Sequence, residues 1–177
     1  SGYEAGDRRP CLIHGITGSG KTEVYMEIME SFLRRGRQVI LLIPEISLTY
    51  QTVMRFYRRY GDRVSIVNSR LSEGERYEQF QRAKRGELDI MIGPRSALFT
   101  PFPNLGLIVI DEEHDTAYKS EQAPRYHARE VAIQRMKERD GLVLLGSATP
   151  SVDSYYAAEQ GAYRLFTLKE RAVHGSI

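Results

Sequence analysis

Short aliphatic runs alternate along this chain with longer stretches in which apolar residues recur every three or four positions. The run at residues 39–43 has no polar member, and such a strand is expected only where helices cover both faces of a sheet. The alternation predicts an α/β fold with a mostly parallel sheet and helices on both faces. The predicted strands cover residues 11–15, 39–43, 63–67, 88–92, 107–110, 142–145 and 163–168.

Five helices are predicted between these strands, over residues 21–35, 49–60, 72–85, 125–139 and 149–160. Ser72 and Glu75 have the spacing of a capping box at the start of the third helix. Ser47 or Thr49 can cap the second helix, and Thr149 can cap the fifth. These signals fix where helices begin more firmly than the apolar pattern alone.

The first helix is amphipathic, so one of its faces is expected to pack against the sheet. The buried stripe predicted for the first helix consists of Val24, Ile28, Phe32 and Leu33.

Residues 1–10 are polar and end at Pro10, and we expect them to be a loosely held lead-in to one domain over residues 11–177.

The octet at residues 15–22 is GITGSGKT, which satisfies every specified position of a phosphate-binding loop. Its glycines let the backbone approach a phosphate chain, and the following helix directs its N–H groups at the same anion. Lys21 is expected to reach the β- and γ-phosphates, and Thr22 to ligate Mg²⁺. The alternative is a glycine-rich turn that binds nothing. The residues assigned to the nucleotide are Gly15, Thr17, Gly18, Ser19, Gly20, Lys21 and Thr22.

An acidic segment follows the fifth predicted strand, with four acids among residues 111–115. Ligands bind beyond the carboxyl ends of parallel strands, so Asp111 is expected to be the second group that holds Mg²⁺. Glu112 is then placed to orient or deprotonate the water that attacks the γ-phosphate. Lys21, Asp111 and Glu112 are therefore the predicted catalytic residues. The alternative is a polar loop after a buried strand.

The segment GSAT follows the sixth predicted strand in the same way. Its small residues permit close approach to the acidic segment, and the hydroxyl groups of Ser147 and Thr149 can hydrogen-bond to it. This arrangement can report the state of a bound nucleotide. Helix capping by Thr149 accounts for half of the pattern without any function.

Charge and cysteine content narrow the functional classes. The net charge is only +2, but residues 51–100 hold ten Arg or Lys against six acids. That excess of basic residues suits a surface that faces a polyanion, and solvated helix faces would look similar.

The single Cys11 excludes a disulfide framework or a cysteine zinc cluster within the chain. No apolar run is long enough for a membrane helix, so we expect a cytoplasmic protein with no membrane partner.

Five segments occur in an order that resembles motifs I, Ia, Ib, II and III of superfamily 2 helicases: GITGSGKT, PEISLT, GPRSALF, DEEH and GSATP. Within that superfamily the wording is similar to the primosomal replication-restart DNA helicases, and the matches extend over residues 15–151. The chain departs from that pattern at Tyr50, Asn68 and Pro94, where Pro, His and Thr are expected. These departures concern the DNA contacts more than the ATP site.

The resemblance implies a RecA-like first motor lobe that uses ATP and Mg²⁺, with His114 of the DEEH segment at the nucleotide. It implies DNA partners, both single-stranded and forked, together with primosome proteins and the single-stranded DNA-binding protein. Zinc would belong to a region of the parent protein, with no site in this chain. The residues that the resemblance assigns to DNA binding or coupling are Pro44, Gln51, Arg95, Ser96, Tyr118, Lys119, Arg125, Tyr126, Ser147 and Thr149.

Tyr118 and Tyr126 offer flat faces for bases, and Lys119 and Arg125 offer charge for phosphates. The alternative is that the tyrosines pack a long loop onto the domain. Two other functions fit the sequence less well: a small P-loop kinase, and a nucleotide-binding docking module without turnover. By resemblance the arginine finger lies on a second lobe, so the chain alone is expected to be a poor ATPase.

Overall fold

The computed structural model describes residues 6–15, 20–113, 118, 127–148 and 152–168. Its seven strands form one sheet in the order β3-β4-β2-β5-β6-β1-β7, and all the strand pairs are parallel. The predicted parallel α/β architecture is therefore confirmed. The strands are β1 Cys11–Gly15, β2 Gln38–Leu42, β3 Val64–Ile66, β4 Ile90–Gly93, β5 Leu105–Asp111, β6 Leu142–Ser147 and β7 Arg164–Leu168.

Helices connect these strands at the places that the sequence predicts. Thr49 caps the second helix through the backbone N–H of Thr52, and Ser72 and Glu75 form the predicted capping box. The fourth helix begins only at Ala128, because His127 is extended and caps it. Thr149, the predicted cap of the fifth helix, lies outside the described residues. The helices are α1 Lys21–Arg34, α2 Tyr50–Tyr60, α3 Glu73–Lys84, α4 Ala128–Glu138 and α5 Val152–Glu159.

The sheet carries a hydrophobic core on each face. Alternate residues of β2 belong to opposite cores: Val39 and Leu41 pack with α1 and α2, whereas Ile40 and Leu42 pack with α3 and α4. This is why the unbroken aliphatic run at β2 was a reliable strand signal.

The buried face of α1 differs from the predicted stripe. Phe32 is buried as expected, but Val24, Ile28 and Leu33 are only partly buried. Lys21 and Tyr25 are buried at the start of the helix, where each side chain donates a hydrogen bond. The residues that α1 buries are Lys21, Tyr25, Met26, Met29 and Phe32.

The last residues of the predicted lead-in contact the rest of the domain. Arg8 makes an ion pair with Asp140 at 2.7 Å, and Asp7 lies 3.4 Å from Arg164 of β7. The carbonyl oxygen of Pro10 accepts a hydrogen bond from the backbone N–H of Arg164 at 2.8 Å. The segment before β1 is therefore tied to the edge of the sheet.

The carboxyl ends of all seven strands lie at one edge of the sheet because the strands are parallel. Asp111 of β5 is in register with Gly146 of β6, and Ser147 of β6 is in register with His14 of β1. The segments that follow β2 and β4 lie on the neighbouring half of the same edge. Long-range pairing thus gathers segments that are far apart in the sequence.

Candidate active site at the carboxyl edge of the sheet

The phosphate-binding loop joins β1 to α1. Gly20 has a left-handed φ of 88° and begins α1 without a side-chain cap, so the first N–H groups of the helix have no capping side chain. Lys21 is only 9% exposed, and its Nζ donates a hydrogen bond to the carbonyl oxygen of Gly15 at 2.7 Å. Thr22 is half-buried in the first turn. The predicted contacts Thr17, Gly18 and Ser19 lie outside the described residues.

Asp111 is the last residue of β5. The hydroxyl of Tyr25 donates a hydrogen bond to its Oδ1 at 2.9 Å. Burial raises the pKa of the Asp111 carboxyl, whereas the Tyr25 hydrogen bond and the charge of Lys21 oppose that shift. Lys21 and Asp111, which are 90 residues apart in sequence, therefore lie close enough to interact electrostatically.

Glu112 follows with a left-handed φ of 52° and is half-buried. A non-glycine residue in this region costs about 1 kcal/mol, and such strain is concentrated at functional sites. The negative charge of the Glu112 carboxylate raises the pKa of the Asp111 carboxyl further. The three predicted catalytic residues are therefore gathered at one edge of the sheet.

The turn at Glu112 sends Glu113 into the interior. The side chain of Glu113 is fully buried, and its backbone N–H donates to the carbonyl oxygen of Gly146 at 3.1 Å. Its Oε2 accepts hydrogen bonds from Ser154 at 3.0 Å and from Arg129 at 3.4 Å. Arg129 also donates to the hydroxyl of Ser154 at 2.8 Å. This network joins β5 to α4 and α5.

Sequence reasoning missed this network and the role of Tyr25. A carboxylate inside an acidic run looks like any solvated acid, and Arg129 occupies an ordinary helical position. Glu113 and Arg129 are 16 residues apart, with the helix start between them. Only the folded chain shows that they meet.

The residues present suit a magnesium ion held together with phosphates. Among the described residues there is no group of three or more His, Cys, Asp or Glu side chains that could hold a metal. Mg²⁺ in phosphate-transfer sites uses one or two protein ligands and takes the remainder from phosphate and water. Thr22 and Asp111 are the residues that would hold it. His114, predicted at the nucleotide, lies outside the described residues.

The described part of the GSAT segment, residues 146–148, lies beside the acidic segment, where the Gly146 carbonyl oxygen accepts from the backbone N–H of Glu113. Ser147 is fully buried at the end of β6, and the ring Nε2 of His14 lies 3.1 Å from the carbonyl oxygen of Ala148. An added Cβ at Gly146 would lie 1.4 Å from the hydroxyl oxygen of Tyr25, so no larger residue fits there. Its role in reporting nucleotide state remains a prediction, and Thr149 is not described.

The prediction that Tyr118 offers a face to a DNA base is wrong. Tyr118 is fully buried, and its hydroxyl lies 2.6 Å from the carbonyl oxygen of Asp111 and 3.1 Å from that of Leu42. A buried ring cannot stack on a base, so the packing interpretation holds for Tyr118. Lys119, Arg125 and Tyr126, the other residues predicted in this segment, lie outside the described residues.

The residues predicted to contact DNA occupy the other half of the edge. Gln51 is exposed at the start of α2, and Arg95 and Ser96 are half-buried in the 3-10 turn after β4. Pro44 is buried, so its side chain is not available to a strand at the surface.

Exposed apolar side chains to which the sequence analysis assigned no contact lie in the same segments. Ile46 is 88% exposed, Tyr50 77% and Phe99 51%. A cavity of about 450 Å³ opens beside Tyr50 and is lined further by Asn68 and Arg70. The described residues contain no helix long and apolar enough to cross a bilayer.

Comparison with known proteins shows which family the chain resembles. The chain is 48% identical to the replication restart protein PriA of Bacillus subtilis over 171 residues, which is 97% of this chain and 21% of that protein. It is 51% identical to PriA of Chlamydia pneumoniae over 162 residues, or 91% of this chain and 22% of that protein. The chain therefore spans about a fifth of the length of the curated relatives it matches.

Solved structures support the fold. RecG bound to a three-way DNA junction has a TM-score of 0.62 at 22% identity, over 97% of this chain and 22% of that one. The C-terminal domain of S. cerevisiae Dbp5 has a TM-score of 0.63 at 15% identity, over 93% of this chain and 92% of that one. These likenesses establish a RecA-like fold. The family model described as DEAD/DEAH box helicase matches residues 3–157, and the chain belongs to that family.

Proposed function

We propose that this chain is the ATP-binding motor lobe of a DNA helicase that acts in replication restart. The observation that carries the proposal is the convergence of Lys21, Asp111 and Glu112 at the carboxyl edge of β1 and β5. The relatives named as replication restart proteins support the cellular role, although the chain spans only about a fifth of their length. The activity of the whole protein is therefore part of the proposal.

The chemistry assigned to this site is hydrolysis of the γ-phosphate. Lys21 moves from the carbonyl of Gly15 to the phosphates, and the start of α1 directs its N–H groups at them. Thr22 and Asp111 would hold Mg²⁺, which would neutralise phosphate charge when it is bound. Glu112 orients the attacking water and accepts its proton.

The neighbouring half of the edge is proposed to hold DNA, single-stranded or forked. Exposed Tyr50 offers a face on which a base can stack, and Arg95 offers a charge for a phosphate. The RecG structure, which is bound to a three-way junction, supports a branched substrate by analogy of fold. Primosome proteins and the single-stranded DNA-binding protein are proposed partners of the parent protein. Zinc is proposed to bind to another region of that protein.

The test is ATP hydrolysis by the full-length protein with and without single-stranded DNA. Lys21→Ala should abolish DNA-stimulated phosphate release, because Lys21 supplies the charge assigned to the phosphates. Lys84→Ala, at an exposed position on α3, is the matched control and should retain it. Circular dichroism should show that both variants fold.

The outcome also separates the alternatives. Phosphoryl transfer to an acceptor other than water would favour a kinase. Nucleotide binding without turnover would favour a docking module. Wild-type hydrolysis by Lys21→Ala would contradict the assignment of the site.

A further inference from the structure

We infer that Tyr25 is a positioning residue, which orients the carboxylate of Asp111 toward the metal and is held in place by Gly146. The inference rests on the proposed function, since that function assigns the metal to Asp111. The sequence analysis gives Tyr25 no role, yet its hydroxyl makes a hydrogen bond to Asp111 across 86 residues of sequence.

Tyr25 is held at this position by the geometry of α1. It lies four residues after Lys21, so the two side chains project from the same face of the helix. Tyr25 is 2% exposed, and its hydroxyl lies 2.9 Å from Oδ1 of Asp111. One rigid helix therefore carries both the lysine assigned to phosphate and the donor that orients the metal aspartate.

The hydroxyl of Tyr25 remains a donor in the folded protein. A phenol carries its proton at neutral pH, and a carboxylate oxygen accepts, so Asp111 is the acceptor in this hydrogen bond. Oδ1 is fixed in direction, and the carboxylate cannot rotate freely.

Gly146 closes the other side of the phenol. A Cβ added there would lie 1.4 Å from the hydroxyl oxygen and 2.5 Å from the ring carbon that carries it. Gly146 is also the register partner of Asp111 in the sheet. The hydroxyl is therefore enclosed between the end of β5 and the end of β6, and the glycine leaves the space that the hydroxyl occupies.

The backbone of Asp111 is held separately. The hydroxyl of Tyr118 lies 2.6 Å from the carbonyl oxygen of Asp111. Removing the hydroxyl of Tyr25 should therefore loosen the carboxylate while β5 keeps its place. This separation makes Tyr25→Phe a clean test of carboxylate orientation.

The test measures binding of ADP to the full-length protein by calorimetry over a series of Mg²⁺ concentrations. Hydrogen-bonding partners of metal ligands are typically worth 10- to 100-fold in metal affinity, so Tyr25→Phe should raise the half-saturating Mg²⁺ concentration by about tenfold. ADP affinity in EDTA should not change, because the phosphate contacts remain.

Tyr60→Phe is the matched control. Tyr60 is 4% exposed in α2, and its hydroxyl has no hydrogen-bond partner among the described residues. This variant also removes a buried hydroxyl, but it should leave the Mg²⁺ dependence unchanged. An equal shift in both variants would overturn the inference.

Gly146→Ala supplies an independent variant. Its added Cβ must displace both the hydroxyl of Tyr25 and the ring carbon that carries it, so it should raise the Mg²⁺ requirement at least as far as Tyr25→Phe does.

The outcomes distinguish the inference from the function it rests on. A wild-type protein whose ADP binding ignores Mg²⁺ would overturn the proposed function and the inference together. A Mg²⁺-dependent wild type with an unshifted Tyr25→Phe variant would overturn the inference alone.

Discussion

Replacing Arg129 by methionine removes the cation from a buried network. The side chain of Arg129 is 10% exposed and that of its partner Glu113 is 0% exposed, with 3.4 Å between NH1 and Oε2. Methionine keeps much of the apolar stem, so the change removes charge and hydrogen bonds more than packing. The variant should leave a carboxylate in the interior without its counterion.

The expected loss of stability is large for one substitution. Breaking a buried ion pair by removing one partner costs 3–5 kcal/mol, and we expect about 3 kcal/mol here. The lower end applies because the hydroxyl of Ser154 still donates to Glu113 at 3.0 Å. Since a domain is stable by only about 5–15 kcal/mol, this loss should be plain in an unfolding curve.

The assay is urea unfolding of the chain, followed by circular dichroism. Arg85→Met is the matched control: Arg85 is 52% exposed in its ion pairs with Glu78 and Glu87, so its loss should move the unfolding midpoint very little. Adding Glu113→Gln to Arg129→Met should recover part of the loss, because the stranded charge is then gone. A midpoint for Arg129→Met no lower than that of Arg85→Met would refute the reasoning.

Three further predictions follow from the site and its surroundings. Glu112→Gln should bind Mg·ATP but hydrolyse it at least ~10²-fold more slowly in single-turnover assays, since an amide cannot accept the proton of water; equal loss of ATP binding would contradict this role. Residues 1–177 alone should hydrolyse ATP ~10³-fold or more slowly than the full-length protein with saturating DNA, because the arginine finger is assigned elsewhere; comparable turnover would contradict the two-lobe proposal. The hydrogen bonds from Arg9 lower the pKa of Asp7 to about 2, so their stabilising effect is complete above the ordinary carboxyl pKa and fades as pH falls toward 2; Asp7→Asn should flatten this part of a stability-against-pH curve.

Local sequence patterns were sufficient to predict most of the helices and strands and to single out candidate site residues. Strand β2 was predictable because a wholly aliphatic run is stable only between two covering layers. The cap at Thr49 and the capping box at Ser72 depend on neighbours within three residues, so local spacing was sufficient. Lys21 and Asp111 were singled out because phosphate and metal chemistry uses those residue types beyond the ends of parallel strands, and their roles stay predictions.

Which side chains contact each other could be seen only in the folded chain. Tyr25 reaches Asp111 across 86 positions, and no periodicity in α1 indicates that contact. The burial of the tyrosines also depends on the fold: Tyr118 is fully buried in the core, whereas Tyr50 is 77% exposed. The physical reason is range, since helix and strand signals are local, whereas burial and hydrogen-bond partners depend on strand order and on how each helix rotates against the sheet.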